Sequence, residues 1–278
     1  QKLRYYKIGS RAPLEEMVES YGVDLSQIQS VLIDEIRSRD KEGRLVGIPQ
    51  EMGRLGLYYN KDVFDLFGVP YPEPDESMSW KEVFELTRKM TGQRNGNNYC
   101  GLEFGADLHT APLMQLSPSM TDADTGEVLL TKDEKFTKYM NLMNEYYSIP
   151  GISEINVEDS CSFMAFTSAM MINWHGFFAW QSGDSMEEIL RNWESVDVAP
   201  LPTWSDAPEV GPIPNGVQAW VINSYSEKKE AALQFIEAGI DEEYQELMSR
   251  QGTPPALKNI ESTDPFAAED ERYAEKNI

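Results

Sequence analysis

Residues 168–180 read SAMMINWHGFFAW and place Trp174, His175, Phe177, Phe178 and Trp180 within one short stretch of a strongly acidic chain. So many rings suit either a core plug or a platform beneath something flat. Around them, the usual reactive constellations are missing. His109 and His175 are the only histidines, and no GxSxG, Walker-type loop or HExxH occurs, which removes the common hydrolase and nucleotide-binding signatures. Among enzyme classes, glycoside hydrolysis stays open, because it asks only for two carboxylates at the right separation and the chain has 47 Asp and Glu. These acids fall on helix faces and in turns, where solvated carboxylates ordinarily lie, so no catalytic residue is assigned. TDADTGEVLLTKDE (121–134) offers Asp122 and Asp124 to a cation, but Gly126 falls one place early for a calcium loop and the next odd position carries no acid. A turn before a short strand is the reading, and neither a metal nor a cofactor is expected.

The chain's 278 residues suffice for a large core and two domains. Its net charge of −23 repels phosphate backbones, so nucleic acid is not an expected partner. No uncharged apolar run is long enough to span a bilayer. Cys100 and Cys161 stand in unrelated contexts without a CxxC pair. They can pair where the compartment is oxidising, but two buried free thiols are the expectation.

The elements that must position these residues are announced by caps and periodicity. Ser79 and Glu82 form a capping box before Trp80, Val83, Phe84, Thr87 and Met90, with Gly92 as the stop. Thr131 and Glu134 repeat the device before Phe136, Tyr139, Met140, Met143 and Tyr147. A third helix, through 226–250, carries a stripe of Leu233, Ile236, Ile240, Tyr244 and Leu247. Strand-like runs at 43–49, 55–60, 98–104, 195–202 and 217–223 alternate with these helices, which predicts an α/β protein with mixed sheets.

GRLVGIPQEMGRLGLYYNKDVFDLFGVPYPEP and SWKEVFELTRKMTG together resemble the extracellular solute-binding proteins, family 1, of ABC importers, where YGIP, YYNKDLF, GVP and TWxE follow in that order. FMAFTSAMMINWHGFFAW is similar to that family's "F..GkaAM.i.G.W", and DVAPLP, NGVQAWVINSYSEKKEAALQFIEAGI and QGTPPA continue the order through about residue 256. The resemblance implies a type II periplasmic-binding-protein-like fold, two α/β lobes joined by a hinge and closing over a solute. Residues 1–56 and 212–260 would form the first lobe, and 57–211 and 261–278 the second. The strand 55–60 and the loop 211–217 would cross between them. Members open with further strands than this chain shows, so the first lobe and the C-terminal helices are expected to be incomplete here, and with them a lipoprotein or secretory leader.

The same resemblance implies an extracytoplasmic, monomeric, non-enzymatic receptor that delivers a mono- or oligosaccharide to the permease subunits. A pyranose presents a C–H face and a hydroxyl rim, matching an aromatic platform with polar groups around it. Trp174, Phe177 and Phe178 are the platform candidates, and Trp180, with Met170 and Ile172, is assigned to the core. Rim candidates are Gln50, Glu51 and Arg54 between the first two strands, Asp107 and His109 in GADLHTAPL, His175, and Asn215, Gln218 and Trp220 on the returning crossover. Trp204 either reaches the cleft mouth or covers the sheet; Trp80 and Trp193 are structural. The alternatives are a glycoside hydrolase or another carbohydrate-active enzyme, a receptor for a non-sugar solute, and an interaction module with buried aromatics.

Overall fold

The computed structural model describes residues 11–105, 108–122, 125–152, 161–180, 185–210, 214–258, 260 and 266–277. Two compact units divide the chain. The first comprises Gln1–Arg54, Phe178–Trp180 and Pro214–Ala274; the second comprises Leu55–Phe177, Gln181–Ile213 and Glu275–Ile278. Residues up to Ala274 therefore group with the first unit, whereas the sequence reading assigns 261–278 to the second lobe.

In the first unit, α1 (Glu15–Tyr21) and α2 (Ser30–Ser38) precede β1 (Ile48–Asn60), whose first half pairs antiparallel with β7 (Pro214–Trp220). In place of the two strands and a loop expected over 43–60 there is one continuous strand, which begins only at Ile48 and leaves 43–47 outside it. Register shifts between Pro49 and Glu51 and between Met52 and Arg54 absorb the QEMGR residues without interrupting the pairing. The core gathers Leu32 and Ile36 of α2, Ile48, Val217, and Leu233 and Ile236 of α8 (Lys229–Gly239). The expected single helix over 226–250 is broken. Asp241 accepts a hydrogen bond from the Glu243 N–H (3.0 Å) and starts α9 (Glu242–Arg250). That restart turns Gln245 and Ser249 inward and leaves Tyr244 and Leu247 exposed, contrary to the continuous stripe.

The second unit is built on a mixed sheet in the order β4 (Glu103–Phe104), β5 (Met170–Trp174), the second half of β1, and β6 (Val196–Pro200). β4 and β5 are parallel; β1 is antiparallel to both β5 and β6. Short strands β2 (Gly92–Arg94) and β3 (Asn97–Tyr99) make a separate hairpin. α3 (Lys61–Phe67) is capped by Asn60, and α4 (Trp80–Met90) by the predicted Ser79–Glu82 box, with all five predicted core residues buried. α5 (Ala111–Leu116), α6 (Glu134–Tyr147) and α7 (Met186–Trp193) follow; the cap of α6 is Asp133, whose carboxylate accepts the Lys135 N–H at 2.8 Å. Thr131 instead lies in a 3₁₀ turn, Leu130–Lys132. The buried stripe is Tyr139, Leu142, Met143 and Tyr146, so Met140 and Tyr147 face solvent. Two polar clamps close this core. The Trp80 indole N–H donates to Gln115 at 2.8 Å, and the Trp204 indole N–H donates to the Pro112 carbonyl at 2.9 Å. Trp204 therefore covers the core.

Cys100 and Cys161 form a disulfide with a Cα separation of 5.7 Å, which corrects the expectation of free thiols. No helix among the described residues is long and apolar enough to cross a membrane.

Candidate functional site

The aromatic stretch resolves into two parts. After β5 the chain enters a 3₁₀ segment, His175–Trp180, where the rings of Phe177 and Phe178 turn inward. Phe177 (6% exposed) packs against Tyr58 (5.0 Å between ring centres), Phe163 (6.0 Å) and Trp193 (5.2 Å). Phe178 (1% exposed) meets the edge of Tyr273 at 5.5 Å. Neither offers a face to a solute, so both are removed from the platform. Burying two phenyl rings is worth about 1.5–3 kcal/mol each, and Trp193 supplies the surface that the sequence could not reveal. The Trp180 side chain lies outside the described residues; Met170 and Ile172 are fully buried, as expected.

Trp174 and His175 differ, being only half-buried. The Tyr58 hydroxyl donates within 3.0 Å of both the Trp174 and the His175 carbonyl oxygens, fixing the backbone at the sheet's end. The Trp174 N–H donates to the Asn173 side-chain oxygen at 2.9 Å, and the His175 ring stands perpendicular to the indole at 5.7 Å. A Cβ added at Gly176 would collide with the Trp174 ring, so glycine at 176 is what lets the indole fold back over the chain.

Beside β5, the end of β4 is joined by the Gly105 N–H donating to the Ile172 carbonyl at 3.0 Å. A Cβ at Gly105 would press on the Asn173 amide, so Gly105 admits that side chain against the backbone. The chain then turns through Leu108–Thr110, where the half-buried His109 has its carbonyl held by the Tyr139 hydroxyl at 3.3 Å. The second unit thus brings Trp174, His175 and Asn173 to the same sheet end as the turn carrying His109. Asn173 is absent from the sequence-based set; its place directly before Trp174 on a strand end was the available signal. Asp107 lies outside the described residues.

In the first unit, Glu51 and Gln218 are paired across β1 and β7. Burial pushes the Glu51 carboxyl above its ordinary value, and the hydrogen bond from the Gln218 side chain works against that rise. The Gln50 carbonyl is held by the Gln245 amide at 3.1 Å, and the half-buried Arg54 pairs with Pro214. β7 is pinned from α2: Glu35 accepts the Val217 N–H at 3.1 Å, while Arg39 donates to the Val217 carbonyl at 3.2 Å. Trp220, expected at the rim, lies at the end of β7. Its half-buried indole meets Phe235 of α8 edge-on at 5.3 Å, beside Gly239, and packs against the unit's core. Asn215 lies in β7, and its side chain is outside the described residues.

Phe166 occupies the place where the resembled family segment has glycine, and its φ of 58° explains that glycine. Here the left-handed residue is a phenylalanine, 5.0 Å from the Trp193 ring.

The model of the bacterial extracellular solute-binding proteins matches residues 8–246. An ABC substrate-binding protein of Listeria monocytogenes, solved in complex with cycloalternan, is 20% identical with a TM-score of 0.66, the match covering 98% of this chain and 69% of that one. The sugar-binding protein MalE of Xanthomonas citri is 17% identical with a TM-score of 0.68, covering 96% and 66%. UgpB of Mycobacterium tuberculosis, solved with glycerophosphocholine, is 19% identical with a TM-score of 0.63, covering 98% and 66%. At these identities the three likenesses speak for the fold, which is MalE-like and of the type II periplasmic-binding class. The family match, spanning most of the chain, makes this protein a member of the bacterial extracellular solute-binding protein family.

Proposed function

We propose that the protein is the extracytoplasmic carbohydrate receptor of an ABC importer, capturing a mono- or oligosaccharide and delivering it to the permease. The observation that carries this reading is Trp174. It is a half-buried indole at a strand end, with hydrogen bonds holding its backbone and Asn173 and His175 beside it, an arrangement suited to a sugar's C–H face and hydroxyl rim. Glu51 and Gln218 of the first unit supply further acceptors and donors for hydroxyls, with Gln50, Arg54 and Asn215 on the same strands. Several similar structures were solved with bound sugars, cycloalternan, maltose and tagatose among them, which supports the class of cargo. Membership of a family of solute-binding proteins favours binding without turnover over the glycoside hydrolase alternative.

A second reading, a non-sugar solute, draws support from the likeness to the glycerophosphocholine complex. The net charge of −23 argues against a strongly anionic cargo, because the long-range field opposes its approach. The Cys100–Cys161 disulfide suits an oxidising compartment, and a lipid anchor or periplasmic release are both compatible with it.

The test is calorimetric titration with maltose, maltotriose, tagatose, mannitol and glycerophosphocholine, followed by chromatography of the recovered solute. Saturable binding of a sugar recovered intact supports the receptor. Cleaved sugar would make it an enzyme, and binding of glycerophosphocholine alone would establish the non-sugar reading.

A further inference from the structure

β4 is the weak member of the candidate wall. It has two residues, lies at the sheet's edge, and pairs with β5 only through Glu103 opposite Met171 and Phe104 opposite Ile172. β5 itself is secured on its other side by five pairs to β1, from Leu55 opposite Trp174 to Tyr59 opposite Met170. A parallel ladder this short has little stability of its own. Yet it is β4 that leads into the turn bearing His109.

Beside the Tyr146 hydroxyl on the Leu102 carbonyl (2.9 Å), the Phe104 ring against Trp80 and Tyr146, and the Gly105 bond to Ile172, β4 has a second set of ties at its start. The Cys100 N–H donates to the Thr167 carbonyl at 3.0 Å, and the Ala169 N–H returns a bond to the Cys100 carbonyl at 2.8 Å. The Cys100–Cys161 bond ties the same point covalently to the turn entering β5. Between them, the Glu103 carboxylate accepts the Phe163 N–H at 2.6 Å. Cys100 is buried at 3% exposure, and Gly101 lies so close to Thr87 of α4 that no side chain fits there.

We propose that the Cys100–Cys161 disulfide is a positioning device for solute binding: it holds β4, and through it the His109 turn, against Asn173 and Trp174. This rests on the receptor reading for its effect on cargo, but not for its effect on the wall. Cys100 and Cys161 are then positioning residues, and neither touches the solute.

The test compares the unaltered protein with the Cys100→Ala/Cys161→Ala double variant, well below the variant's melting temperature. Hydrogen exchange is followed at Gly105, Leu108 and His109, with β6 amides as the internal reference. The expected result is at least tenfold faster exchange across 105–110 with β6 unchanged, and a Kd raised about tenfold for whichever sugar of the maltose, maltotriose, tagatose and mannitol panel binds the unaltered protein. Uniform loss of protection across both regions, or unchanged exchange at 105–110, overturns the proposal; so does an unchanged Kd in a folded variant. If none of these sugars binds even the unaltered protein, the receptor reading fails for these cargoes, and hydrogen exchange alone decides the brace.

Discussion

Asp40 offers a test of how the first unit positions its strands. Its carboxylate is almost wholly buried and takes a forked pair of bonds from Arg44, Nε at 2.9 Å and Nη2 at 3.0 Å, together with the N–H groups of Glu42 (3.0 Å) and Arg44 (3.2 Å). Those bonds, the Arg44 side chain first, lower its pKa from 3.8 to about 2. A carboxylate whose folded pKa lies below its unfolded one binds its proton more readily when unfolded. Its stabilisation is therefore complete above 3.8 and is lost as pH falls from 3.8 toward 2. The displacement is worth at most about 2.4 kcal/mol, and the 43% exposure of the Arg44 side chain screens it to roughly 1–2 kcal/mol. Asp40→Asn should cost that amount in urea unfolding at pH 7. The difference between the two proteins should shrink steadily below pH 4 and nearly vanish by pH 2. Since Asp40 closes the turn between α2 and β1, the variant should also quicken hydrogen exchange at Arg44 and Leu45. A difference that stays constant from pH 7 to pH 2, or one below about 0.3 kcal/mol at pH 7, would refute the reasoning.

Three further outcomes follow from the packing. Asp197 is buried, pairs with Lys61 at 2.8 Å and accepts the Asn277 N–H at 2.8 Å, so Asp197→Asn should destabilise by about 2–3 kcal/mol in urea unfolding and quicken hydrogen exchange at Asn277. Gly176→Ala should displace the Trp174 indole and raise the sugar Kd roughly tenfold, read by titration, while changing the melting temperature by only a few degrees. Gly101→Ala drives a Cβ into the Thr87 backbone, which cannot rotate away, and should cost about 3 kcal/mol or more in chemical denaturation.

Local features were legible in the sequence and nonlocal ones were not. The Ser79–Glu82 box and the burial of Trp80, Val83, Phe84, Thr87 and Met90 depend on residues within three turns, and they stand as read. Thr131 lost its role to Asp133 because two capping residues two positions apart compete for one helix start, and periodicity alone does not choose between them. The break at Asp241 is another local cap, masked by an apolar pattern that ran on across it. The disulfide was hidden for a different reason: it joins positions 61 apart in sequence, and their approach depends on β4 pairing beside β5. The same holds for the aromatic stretch. Which rings are core depended on Trp193, Phe163 and Tyr58, brought in from elsewhere in the chain, and they claimed Phe177 while leaving Trp174 half-buried. Trp220 is half-buried by the same route, its ring edge-on to Phe235 on α8.

The most direct test of the receptor account is the tryptophan fluorescence of the unaltered protein, Trp174→Phe and Trp174→Ala during titration with the sugar panel. The account predicts saturable quenching or a blue shift in the unaltered protein. It predicts a Kd about 10–100-fold weaker in Trp174→Ala, and partial recovery in Trp174→Phe, which keeps a flat ring for the sugar's C–H face. Binding of equal strength in all three folded proteins would contradict it, because the indole at the end of β5 would then not be the surface on which the solute rests.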